Sequence, residues 1–139
     1  MSIIGFTYTG ISAEKTKDID KKVGIRNNIS IKDISEHKIP FTSTDDKSFK
    51  VSFEFLTEYS PDFGNIKIDS ELFIVRPKKE ANEILDEWKK NKKLRQDLVP
   101  SYFNFILRKC NLKAMILAED LNLPSPYPLP KATPAETKK

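Results

Sequence analysis

The sequence predicts an α+β domain: a four-stranded antiparallel sheet with one short and one long helix packed on one face. Three observations predict it. The first 75 residues alternate apolar and polar side chains with the period of two of a strand, broken by short polar turns. From Pro77 onward the period lengthens to that of a helix and stays so as far as Leu121. The strongest alternating run, SFKVSFEFLTEY at 48–59, puts Phe49, Val51, Phe53, Phe55, Thr57 and Tyr59 on one face, opposite Lys50, Ser52, Glu54, Leu56 and Glu58. A face that apolar needs a cover, and the helices that follow can supply it.

The strands take the first half of the chain. SIIGFTYTGIS places Ile4, Phe6 and Tyr8 on one face, and a polar, lysine-rich link follows over 13–22. RNNISIKDISEHKIPF alternates at Ile29 and Ile31 and then slips phase at Ile34, which predicts a bulge or the end of pairing. STDDKS at 43–48 and SPDFG at 60–64 are turn chemistry. Between them lies the aromatic stripe, and after them NIKIDSELFIV alternates Ile66, Ile68, Ser70, Leu72 and Ile74. Four strands with such links predict an antiparallel meander or a near variant.

The first helix, expected over 78–93, carries Ala81, Ile84, Leu85 and Trp88 at helical spacing. Its acids (Glu80, Glu83, Asp86, Glu87) come early and its lysines (Lys89, Lys90, Lys92, Lys93) late, which suits the helix dipole. That charged run is a solvated helix face, and Trp88 is its anchor to the core. Asp97 is the expected cap of the second helix, with Pro100 in its first turn and Pro124 as its stop. One wide apolar face runs from Val99 through Phe103, Ile106, Cys110, Ala114 and Ala118 to Leu121. Phe105, Leu112 and Ile116 form a second strip, set off by Lys109, Lys113 and Asp120. A helix apolar on two sides is sandwiched, and with one sheet in the chain the second cover is either the short helix or another subunit, of which the subunit is the expected one.

Composition narrows the function classes. Basic residues exceed acidic ones by four and the pI is about 9.1, yet Lys outnumbers Arg twenty to four. Nucleic-acid sites favour the planar arginine fork, so this excess points only weakly to nucleic acid. The stripe FKVSFEF has aromatic spacing suited to base stacking, but lacks the glycines of an RRM signature and follows a different strand order. It reads as the core face of the sheet. The single cysteine, Cys110, forms no intrachain disulfide and suggests a reducing cytosol, where it would be a buried inert thiol. One histidine (His37, expected at the surface), one cysteine and no close His/Asp/Glu cluster predict no metal, no cofactor and no enzyme. No leader peptide or membrane-length run is visible, so no membrane insertion is expected.

The end of the second helix narrows them further. It runs into Leu121, Asn122, Leu123 and Pro124, then into the proline-spaced SPYPLP. With four antiparallel strands before the long helix, this ending resembles the SecB-type export chaperones and their small archaeal relatives over residues 1–126. The chain departs from that family in its basic charge, its extra short helix, and a Pro/Lys-rich tail at 127–139, expected disordered, in place of a further helix. Client binding is expected to survive those departures, whereas they argue against docking on the export ATPase SecA. The resemblance implies an ATP-independent holdase for unfolded or precursor polypeptides, cytoplasmic and assembled as a dimer or tetramer. It implies client contacts at Ile34, Ile39, Phe41, Leu121, Leu123 and Tyr127. Phe105, Leu112 and Ile116 are the expected oligomer interface. A small RNA-binding module, with nucleic acid an unlikely partner, and a structural subunit of one complex are the alternatives.

Overall fold

A computed structural model describes residues 3–20, 22–38 and 45–126. Four strands, β1 (Ile3–Lys15), β2 (Gly24–Glu36), β3 (Asp46–Ser60) and β4 (Gly64–Pro77), precede two helices, α1 (Lys78–Asn91) and α2 (Val99–Asp120). The fold is α+β, with both helices on one face of a single four-stranded antiparallel sheet.

The strand order is β1-β4-β3-β2. Only β2, β3 and β4 form a meander. β1 sits at the far edge against β4, so the link over 16–23 crosses the sheet from edge to edge, as in a Greek key. The most regular strands, β3 and β4, take the centre because each has a face able to be wholly buried. Phe49, Val51, Phe53, Phe55, Ile66, Ile68, Leu72 and Ile74 are all in the core. The stripe is thus internal, with Tyr59 at its end. On the open face of the sheet Lys50 pairs with Glu71 at 3.3 Å, and Glu54 is held between Lys67 and Lys32, each at 3.2 Å. Alternation therefore separates a dry face from a ladder of charges.

The edges carry the irregularities. The phase slip in β2 is a register shift between Ile31 and Asp33, and it returns Ile34 to the core face opposite Val51. In β1 a shift between Ile3 and Gly5 changes the expected face. Ile3, opposite Ile74, joins Phe6 and Tyr8 beside the core, whereas Ile4 is 53% exposed. At the β3–β4 turn Gly64 has a φ of 156°, and a side chain there would overlap the Glu14 carbonyl oxygen of β1. Glycine is required by that close approach.

α1 buries Ala81, Ile84 and Trp88 against the sheet, and the Trp88 indole donates to Asp33 of β2 at 3.3 Å. Lys92 closes the helix in a left-handed conformation. The expected Asp97 cap is absent: α2 starts after Leu98 with no side-chain cap. Asp97 instead takes a fork of hydrogen bonds from Arg95 (2.7 and 3.1 Å). Arg95 also lies 3.6 Å from Glu80, which pairs with Arg76, so the acid serves a loop network rather than a helix end. α2 buries Tyr102, Ile106, Cys110, Ala114 and Ala118, while Phe103 meets Phe53 edge-on at 5.5 Å. Burial pushes the Cys110 thiol up to about 11, which leaves it protonated and inert at neutral pH.

Candidate functional site

The helix end that ties the chain together is built from Leu121, Asn122, Leu123 and Pro124. Asn122 adopts a left-handed φ of 56°. Its N–H donates to the Glu119 carbonyl at 3.2 Å, and the Leu123 N–H reaches back to Ala118 at 2.8 Å. Those two bonds make a Schellman cap, in which Asn tolerates the left-handed backbone and the next apolar residue packs back on the last turn. Pro124 then bars further helix.

Beyond the cap the segment is tied down on the sheet. Tyr59 donates its hydroxyl to the Pro124 carbonyl at 2.7 Å. Asn27 of β2 donates to the Pro126 carbonyl at 3.2 Å and accepts from Thr57 at 2.6 Å. The last two polar positions of the stripe's buried face thus hold the chain that leaves α2.

Between this strapped segment and the outer side of α2 lies an open groove of about 470 Å3. Leu112, Met115, Ile116, Ala118, Leu123 and Ser125 line it, with Glu119 and Asn122 also on its wall. Leu112, Met115, Ile116 and Glu119 follow the i, i+3, i+4, i+7 spacing of one helix face. Leu112 is 59% exposed and Ile116 46%, an unusual amount of bare apolar surface for a long helix.

Residues expected at separate sites therefore meet here. Leu112 and Ile116 of the second strip share the groove with Leu123, whose own side chain is buried as part of the cap. Leu121 packs half-buried beside the core. Phe105 departs from the strip: its ring turns to β1 and rests 5.9 Å from that of Phe6. Ile34 lies in the core, 5% exposed, below a separate depression between β2 and α1, so it offers little contact surface in this protomer. Ile39, Phe41 and Tyr127 lie outside the described residues, as does the 127–139 tail. Met115 was missed, although its spacing from Leu112 would have found it. Among the described residues no group of His, Cys, Asp and Glu is placed to hold a metal, and no helix is long and apolar enough to cross a membrane.

In comparisons with known proteins, no family model matches the sequence and no curated protein does. A solved structure does match in shape: the Mycobacterium tuberculosis SecB-like chaperone Rv1957, in complex with a ChAD peptide from the HigA1 antitoxin. The TM-score is 0.57 over 96% of this chain and 91% of that one, at 13% sequence identity. The chain has a SecB-like fold. Within this SecB-like frame the groove at the end of α2 is where the exposed apolar side chains Leu112 and Ile116 face the capped segment that leaves the helix. The similarity is to a mycobacterial chaperone, and nothing ties the chain to an archaeal branch.

Proposed function

We propose that this chain is an ATP-independent holdase that binds non-native polypeptides through the apolar groove at the C-terminal end of α2. The observation that carries the reading is the groove itself, walled by Leu112, Met115 and Ile116 and floored by a rigidly capped Leu123. A pre-shaped apolar trough with few polar groups selects for exposed hydrophobic side chains rather than for one sequence, and so favours promiscuous binding. A fold shared with a chaperone solved in complex with a peptide supports the same reading. The protein works in the cytosol without nucleotide, metal or other cofactor, on unfolded or precursor polypeptides, including export substrates. Leu121 and Leu123 are client contacts in this proposal, extended by Ile39, Phe41 and Tyr127.

The bare strip also drives self-association into a dimer or tetramer. Leu112 and Ile116 are the residues with surface to give a second copy, and Phe105 lies at the margin of that contact. Copies and clients thus draw on the same side chains, so both readouts belong in one experiment. Aggregation of an unrelated denatured protein is followed by light scattering, with the chain sized in parallel. The wild type is expected to suppress aggregation and to elute as an oligomer. Leu112→Glu with Ile116→Glu is expected to lose most of both while keeping its folded secondary structure by circular dichroism, because neither residue is in the core. A monomeric wild type that leaves aggregation unchanged ends the holdase reading.

A further inference from the structure

A second groove, of about 570 Å3, lies between the start of β1 and the first half of α2. Its apolar floor is Ile3, Ile4, Phe6 and Phe105, and Arg108 and Lys109 stand on its wall. Lys113, one turn further along α2, extends the line of cations. We propose that this groove is a docking site for an extended acidic peptide segment carrying a large apolar residue, separate from the holdase groove in both place and chemistry.

Charge is the first argument. The three cations of α2 precede its only acids, Glu119 and Asp120, and the first turn has none. That order opposes the helix dipole, whereas α1 follows it with Glu80 early and Lys89 and Lys90 late. Lys109 and Lys113 are also a like-charged pair at i, i+4, which weakens a helix. Helix stability therefore does not explain these positions. Among the described residues no carboxylate forms an ion pair with Arg108, Lys109 or Lys113, although Lys32, Lys50 and Lys67 on the open sheet face are all paired. An acidic segment would relieve the repulsion and complete the pairing.

The rings decide between a peptide and a nucleic acid. Lys109 lies 5.9 Å from the Phe6 ring and 5.8 Å from that of Phe105, with Arg108 5.5 Å from Phe105 and Lys113 5.5 Å from Tyr8. Phe6 packs edge-on to Tyr8 at 4.9 Å. Ring faces already occupied by cations and ring edges already packed leave no platform for stacked bases. The same contacts hold the cations above an apolar floor, where a carboxylate and a neighbouring aliphatic side chain can bind together. β1 is an edge strand of the sheet, and among the described residues no strand pairs with its outer side, which can therefore meet an extended segment.

The test is fluorescence anisotropy with a labelled peptide of alternating glutamate and leucine. Glutamine and lysine analogues of equal length and a single-stranded oligo-dT are the comparisons. The glutamate peptide is expected to bind, and to weaken about tenfold on Arg108→Glu with Lys109→Glu, on glutamine replacement, or in high salt. Leu112→Glu with Ile116→Glu, which tests the holdase groove, is expected to leave this binding unchanged. Arg108→Ala with Lys109→Ala gives a milder loss and guards against a folding defect, read by the unfolding midpoint. Equal binding of the lysine analogue, undiminished binding by the charge-reversed variant, or preference for oligo-dT overturns the proposal.

Discussion

Tyr59 shows how one side chain can belong to the core and to the site at once. Its ring ends the buried stripe, and its hydroxyl donates to the Pro124 carbonyl. Burial pushes its pKa up to about 12, because the phenolate would lose its hydration there. An unfolded tyrosine ionises near 10, so the unfolded chain sheds this proton first. The stability contributed by the neutral phenol is therefore complete below pH 10 and is lost as pH climbs towards 12. Tyr59→Phe is expected to flatten that decline and to cost about 1 kcal/mol at neutral pH, from the lost bond to Pro124. Urea unfolding of both proteins at neutral pH and across the alkaline range measures it; equal slopes would remove the assignment. The ring was legible in the sequence as a core residue through its alternation. Its partner, 65 residues away, was not, because no local pattern encodes which carbonyl a hydroxyl will meet.

At the scale of elements, α2 is defined by how it ends. The left-handed Asn122 lets two N–H groups turn back on the last turn, and Leu123 follows into the groove floor. Glycine tolerates this backbone at least as well, whereas a β-carbon without the asparagine amide does not. Asn122→Gly is thus expected to stay within about 0.5 kcal/mol of wild type, and Asn122→Ala to lose about 1 kcal/mol and to weaken client holding. Thermal midpoints and the light-scattering assay read the two effects; a neutral alanine would mean that the cap does not shape the groove. The stop itself was readable from Leu-Asn-Leu-Pro, since proline and a left-handed residue punctuate helices locally. The start was misread, because a competing partner, Arg95, claims the Asp97 carboxylate. The bare strip was visible as a second apolar periodicity, and Phe105 left it because Phe6 offered an aromatic contact on a neighbouring strand.

Across the whole molecule, the helices and the sheet share one core in which Phe53 is central and fully covered. Phe53→Ala is expected to cost about 3–5 kcal/mol, because the edge-on Phe103 ring above it leaves a cavity that collapses poorly. Glu54→Ala, one residue on and on the other face, is expected to cost about 1 kcal/mol or less, since its partners are surface lysines. Chemical denaturation of the pair checks the division of the sheet into a dry and a wet face. Comparable losses would contradict it.

The α+β class, the four strands, the two helices and the buried sense of the stripe were determined by the sequence alone, because periodicity is a local property of consecutive residues. Strand order was not. The links over 16–23 and 37–45 are of similar length, so length alone says neither which joins neighbours nor which crosses the sheet. Only pairing did, by placing β1 against β4, where Ile3, Phe6 and Tyr8 extend the core face. Tertiary structure likewise decided that Leu112, Ile116 and Leu123 line one groove and that Phe6, Phe105 and Arg108 meet at another. Those sites exist because distant segments are packed side by side, and their positions follow from contacts between faces rather than from the order of residues along any one of them.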